Sequence, residues 1–181
     1  MPHLITACVV SALRPDAGAV GITAIDKRPV AGEVKVGRLG LYADVQADRK
    51  HHGGQDKAVY AYAQEDADFW SAQLGRPLAP GWFGENLRVA GLDVSNARVG
   101  ERWRIGNSVE LEVTMPRSPC ATFARWVGGA DERGWVKRFA TEGRLGAYLR
   151  VIRTGPVWPG DEIELFSVPA EAPTILEVFR S

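Results

Sequence analysis

The sequence predicts a mainly β protein, a barrel or sandwich of short strands with a few helices set around it. Two observations carry this reading. Short apolar stretches at Val34–Val36 and Leu39–Val45 are punctuated by Gly32, Gly37 and Gly40, the rhythm of closely spaced strands. Val109–Val113 (V-E-L-E-V) alternates apolar and charged residues, the period-2 signature of a half-buried strand.

Leu4–Val10 (L-I-T-A-C-V-V) is an apolar run bounded by Pro2 and Pro15 and reads as a buried strand, with Cys8 in its middle as core. Ala19–Asp26 reads as a second strand, and Lys27-Arg28-Pro29-Val30 leaves it into a turn. After the two short glycine-broken strands, Ala58–Ala63 (A-V-Y-A-Y-A) reads as another. Gln64–Leu74 carries early acids, which suit the positive end of a helix, and apolar Ala67, Trp70 and Leu74 at helical spacing. Gly75 ends it.

Pro80–Leu87 (P-G-W-F-G-E-N-L) is a glycine-rich loop running into a strand at Asn86–Val89. Asn86, at that junction, can donate and accept at once or bond its own backbone as a turn residue. Ala97–Ile105 and Val109–Val113 form a hairpin through Gly106-Asn107-Ser108. Ala121–Val127 and Arg133–Ala140 look helical, and Gly146–Arg153 and Glu162–Phe166 read as strands. A terminal helix spans Ala172–Phe179, with Pro173 suited to a first turn.

At 181 residues the chain fits one domain with a sizeable core. Lys+Arg and Asp+Glu both number 22, so no global charge favours nucleic acid or a membrane. Met1–Leu13 lacks the Lys or Arg of a signal peptide, and no apolar run approaches the roughly 20 residues that span a bilayer. Two cysteines provide neither a disulfide framework nor a zinc quartet. The expectation is a cytoplasmic, reduced protein.

Two segments carry chemistry. Gln46–Lys57 (Q-A-D-R-K-H-H-G-G-Q-D-K) is the densest polar stretch, with Arg49, Lys50, Lys57 and Gly53-Gly54. Such a loop can hold phosphate through backbone N–H groups and cations, or it is a solvated hairpin loop. Adjacent His51 and His52 point to opposite sides of an extended chain, which argues against a two-histidine metal site.

The second segment is Thr114–Phe123 (T-M-P-R-S-P-C-A-T-F), centred on Cys120. Pro116 and Pro119 interrupt strand and helix alike, each lacking an N–H and fixing φ, so the thiol stands on a rigid turn beside Arg117. A neighbouring guanidinium and the start of a helix both favour thiolate, the form that attacks electrophiles and binds metals. Packing as a small hydrophobe is the alternative.

These pieces together resemble the MOSC family, named for the C-terminal domain of molybdenum cofactor sulfurase, and within it the stand-alone bacterial YiiM-type branch. The resemblance rests on Gly40-Leu41…Asp44-Val45-Gln46-Ala47-Asp48, Lys50…His52-Gly53-Gly54, Phe83-Gly84-Glu85-Asn86-Leu87 and Pro116-Arg117-Ser118-Pro119-Cys120, in this order and over most of the chain. It implies a single MOSC domain over residues 1–181, built as a closed β-barrel like the small domain of pyruvate kinase with a few peripheral helices.

The resemblance also implies molybdenum cofactor (molybdopterin) as the ligand, with Cys120 on the metal, where a soft thiolate suits it. By position, pterin and phosphate contacts fall on Lys27, Arg49, Lys50, His52, Gly53, Gly54, Asn86, Arg117 and Ser118, and His52 is a candidate proton donor. The implied activity is reduction of N-hydroxylated compounds such as hydroxylaminopurine-type bases. No nicotinamide or flavin fingerprint occurs, nor a ferredoxin-like cysteine cluster or a pyridoxal-phosphate domain. Electrons are therefore expected from a flavoprotein reductase. A carrier of molybdenum cofactor or sulfur, with a persulfide on Cys120, is the other reading. Oligomeric state is not readable from the sequence.

Overall fold

A computed structural model describes residues 1–47, 53–129 and 134–181. The strands are β1 (His3–Pro15), β2 (Ile22–Pro29), β3 (Val34–Gly37), β4 (Gly40–Leu41), β5 (Val59–Ala63), β6 (Leu87–Ala90), β7 (Arg102–Ile105), β8 (Val109–Pro116), β9 (Ala147–Arg153), β10 (Gly155–Val157) and β11 (Ile163–Ser167). The helices are α1 (Gln64–Leu74), α2 (Ala121–Gly128), α3 (Trp135–Glu142) and α4 (Ile175–Arg180). No described helix is long and apolar enough to cross a membrane.

The expected closed barrel is not formed. The large sheet is open and mixed, in the order β11-β7-β8-β9-β5-β6-β1-β2, and a separate sheet runs β10-β3-β4. Its one parallel pair among the described strands, β5 with β6, follows from the α1 crossover between them. Closure would need a ladder between β11 and β1. Instead β2 takes the free side of β1 from Cys8 onward, and the remaining corner meets the turn before β11 in one isolated bridge, His3 with Glu162.

Strand alternation sorts the core into two clusters. On β5, Val59, Ala61 and Ala63 face the cluster shared with Val36, Leu87, Leu111 and Val157. Tyr60 and Tyr62 face the opposite side, against Trp70, Phe83, Phe123 and Phe139 from the helices and the 80–85 loop. This second cluster is aromatic, with Tyr62 stacked on Phe83 at 4.1 Å and Phe123 tilted against Phe139 at 4.7 Å.

The loop before β6 is pressed tightly onto β2. A Cβ on Gly81, at φ +92°, would lie 2.4 Å from the Lys27 carbonyl oxygen, so only glycine fits. Glu85, fully buried, accepts from the N–H groups of Gly81 (2.7 Å) and Phe83 (3.0 Å) and pairs with fully buried Arg88. That network keeps its charges satisfied by hydrogen bonds.

Candidate active site

One cavity, of about 220 Å³, collects Lys27, Asn86, Arg117 and Cys120 from the sequence-predicted residues. Each arrives from a different element: Lys27 from β2, Asn86 from the residue before β6, Arg117 from just past β8, and Cys120 from the N-cap of α2. β8 runs to Pro116, paired with Ala147, and the chain then turns through Pro119 into α2. The Cys120 carbonyl accepts from the Ala124 N–H (3.0 Å), which opens the helix. The thiol therefore sits at the positive end of α2, a position that favours an anion.

Arg117 is buried, at 6% exposure, and its guanidinium packs over Phe123 (4.1 Å) and Tyr60 (5.4 Å). Its Nη1 is buried and has no hydrogen-bond partner among the described residues. Burial works against the charge, Tyr60, Tyr148 and Cys120 work for it, and the balance leaves Arg117 above the usual arginine range. Tyr148, also on the cavity, is pushed up by burial despite the opposing field of Arg117, so its hydroxyl stays protonated. Lys57 lies on the cavity too, its ammonium 5.8 Å from the Tyr148 ring.

Lys27 was expected in a turn; it lies inside β2, buried, with Nζ 2.5 Å from both carboxylate oxygens of Asp44. Asp44 also accepts from the Val10 N–H (2.8 Å) and from Asn86 Nδ2 (2.7 Å). Asn86 has little left for a ligand. Its Oδ1 accepts from the Tyr60 N–H (3.1 Å), and its Nδ2 also reaches the Cys8 carbonyl at 3.4 Å. The sequence reading gives Asp44 no role, although an acid within the apolar stretch Leu39–Val45 is a signal for it.

Of the other expected positions, the described ones, Ser118, Gly53 and Gly54, do not line this cavity. Ser118 is exposed. Gly54 lies in a neighbouring groove with Gly40 and Tyr42, its N–H given to Gln46 Oε1 (3.3 Å), and Gly53 does not line the cavity either. Arg49, Lys50 and His52 lie outside the described residues. Cys8 is fully buried and burial raises its thiol pKa strongly, as a core residue requires. Among the described residues no trio of His, Cys, Asp and Glu could hold a metal by itself.

The MOSC domain family profile matches residues 48–164, more than half of the chain. The chain belongs to the MOSC domain family. YflK of Bacillus subtilis is 41% identical over 145 residues, which are 80% of this chain and 64% of YflK. A protein named Reductase from Gibberella moniliformis is 32% identical over 94% of this chain but only 31% of its own length. The chain thus spans less than two thirds of either relative. Among solved structures, YiiM from Geobacillus stearothermophilus superposes with a TM-score of 0.76 at 28% identity, over 99% of this chain and 83% of that one.

Proposed function

We propose that this protein is a molybdenum-cofactor-dependent reductase of N-hydroxylated compounds, hydroxylaminopurine-type bases among them, with residues 1–181 as one MOSC domain. The observation that carries the reading is Arg117, a buried cation whose Nη1 has no partner among the described residues, on the same cavity as a thiol at a helix N-terminus. A buried donor without a partner is costly, and an anionic ligand would satisfy it. With no metal-binding trio among the described residues, a metal here would bring most of its ligands with it, as a dithiolene cofactor does. The residues present fit that group.

Cys120 would hold the metal, and Arg117 and Lys57 would take the anionic parts of the cofactor. Lys27, whose charge is spent on Asp44, positions the cavity wall. When bound, the cofactor supplies the two-electron chemistry that removes a hydroxyl oxygen. Reduction of R–NHOH to R–NH₂ and water consumes two electrons and two protons. Tyr148, kept protonated by burial, can hold one proton at its hydroxyl, and His52 remains a candidate for another. The electrons would come from a flavoprotein reductase. The relative named Reductase, which carries a segment like this chain within a protein three times as long, supports a module that works beside other protein parts.

A carrier of cofactor or sulfur, with a persulfide on Cys120, draws on the same thiol at the same helix end. Elemental analysis of wild type and Cys120→Ala, from cells replete in molybdate and cofactor synthesis, separates the two. Near-stoichiometric molybdenum in the wild type alone, with hydroxylamine consumed when electrons are supplied, is expected. Metal without turnover supports the carrier, and no metal in either protein sinks the reductase reading.

A further inference from the structure

The β1–β2 ribbon extends beyond the sheet that supports it. β1 pairs with β6 only through His3–Ala7, whereas its pairing with β2 runs from Cys8 to Pro15. β2 is the last strand of the sheet. Two strands alone are marginal in water, so side-chain pins must place the outer ribbon. Asp44 is the pin at its base, accepting from the Val10 N–H and from Lys27.

The pin at the tip is Asp16. Its Oδ1 accepts from Arg125 Nε (2.9 Å), and its Oδ2 accepts from Arg125 Nη2 (2.7 Å), Thr122 Oγ1 (2.9 Å) and the Gly18 N–H (3.0 Å). A bidentate fork of this kind fixes geometry better than a single contact. The tip closes on itself, with the Asp16 N–H on the Gly21 carbonyl and the Gly21 N–H on the Gly18 carbonyl, both at 3.0 Å. Gly18, Val20 and Ile22 of this tip region form a wall of the Cys120 cavity. Thr122 and Arg125 belong to α2, the helix whose first end bears the thiol.

We propose that Asp16, through its fork to Arg125 and Thr122, is the latch that holds the β1–β2 tip as the closing wall of the Cys120 cavity and so sets access to the thiol. Asp16, at the edge of the cavity it helps to line, is a positioning residue that acts through the tip and α2. The inference rests on Cys120 being the working thiol, yet its test needs neither metal nor turnover, so the two readings fail separately.

The test is the rate at which a neutral maleimide alkylates Cys120 in the folded protein, followed by mass spectrometry across pH, with Cys120→Ala assigning the signal. The informative quantity is the plateau rate at alkaline pH, where the thiol is fully ionised; a purely electrostatic effect shifts the midpoint and leaves the plateau. Asp16→Asn should raise that plateau about fivefold, a modest population shift of the size that loss of an exposed ion pair gives. Gly18→Ala should do the same with every charge kept, because its Cβ would lie 2.7 Å from Asp16 Oδ2. Raising salt should speed the wild type toward the variants and leave the variants unchanged. A plateau rate equal to wild type in Asp16→Asn, shown to be folded by its melting curve, would overturn the latch.

Discussion

Lys27 and Asp44 meet inside the cavity wall, Nζ 2.5 Å from both carboxylate oxygens, with each side chain at or below 10% exposure. Neither lies on the element that holds the other: Lys27 is on β2, and Asp44 follows β4. The carboxylate further collects the Val10 N–H and the Asn86 amide, so one acid joins four segments. Asp44→Ala would leave a buried ammonium unpaired, a change that typically costs about 3 kcal/mol or more. Denaturant unfolding should show that loss. The paired change Asp44→Leu with Lys27→Met should recover a large part of it, because replacing both partners of a buried pair by apolar groups is often near neutral. No recovery in the double variant would mean that the bonds to Val10 and Asn86, rather than the charge pair, dominate.

Cys120→Ser should keep the fold and abolish reductase activity. The side chain is only partly buried and a hydroxyl occupies nearly the same space, so thermal stability should move by less than about 1 kcal/mol. A hydroxyl is a poor ligand for a soft metal, so molybdenum retention should fall with activity. Full activity in the serine variant would remove Cys120 from the metal.

Arg117 separates binding from stability. Its guanidinium lies between aromatic rings and its Nη1 has no partner among the described residues, so Arg117→Met replaces it by a flexible apolar chain of similar length. Removing an unsatisfied buried donor can be close to neutral, and unfolding stability should change by no more than about 1 kcal/mol. Cofactor retention should nevertheless collapse, because the buried cation is gone. A variant that unfolds early and keeps its cofactor when folded would mark Arg117 as a packing residue.

The legible parts of the chain were those decided by local chemistry. α1 occupies Gln64–Leu74 as its acids and apolar spacing predict, and Gly75 closes it at φ +63°. The proline-flanked turn and the helix after Cys120 are likewise present. What depends on distant partners was not legible. β1 runs on to Pro15, past the expected strand end at Val10, because β2 pairs with it there. β10 contains Pro156 and exists through its pairing with β3. The expected strand at Leu39–Val45 shrinks to Gly40–Leu41, because Ala43 takes φ +67° and swings Asp44 inward. Barrel closure failed for the same reason, since it turns on whether two chain-distant edges meet along a strand or at a corner.

Two glycines with left-handed backbone, Gly75 at the end of α1 and Gly81 against β2, provide a test of backbone fit. Gly75→Ala places a methyl in open space at φ +63°, so only the left-handed conformation is penalised, about 1 kcal/mol. Gly81→Ala incurs that same penalty and drives its Cβ against the Lys27 carbonyl at 2.4 Å. Its cost should exceed that of Gly75→Ala by about 2 kcal/mol or more, since the clash is with backbone in a tightly packed region. Because the displaced atom belongs to Lys27, cofactor retention should fall in Gly81→Ala and stay unchanged in Gly75→Ala. Equal stability losses in the two variants would show that the 80–85 loop yields freely.

The Asp16 fork carries a pH signature. The Arg125 hydrogen bonds, aided by the Gly18 N–H and Thr122, hold the Asp16 carboxyl at about 2, below its ordinary 3.8. A carboxyl depressed in the folded state adds stability that is complete above its unfolded value and is lost as pH falls through the folded one. Wild type should therefore melt higher than Asp16→Asn by a constant margin at neutral pH. The margin should begin to shrink as pH drops below about 5, be mostly lost by pH 2 and vanish only near pH 1, below both values. It should also narrow with added salt, since Arg125 is 41% exposed and its pairing is screened. Melting curves of both proteins from neutral pH to pH 2 decide it. A margin that persists unchanged at the acid end would mean that the carboxylate charge contributes nothing, and that the contact acts through packing alone.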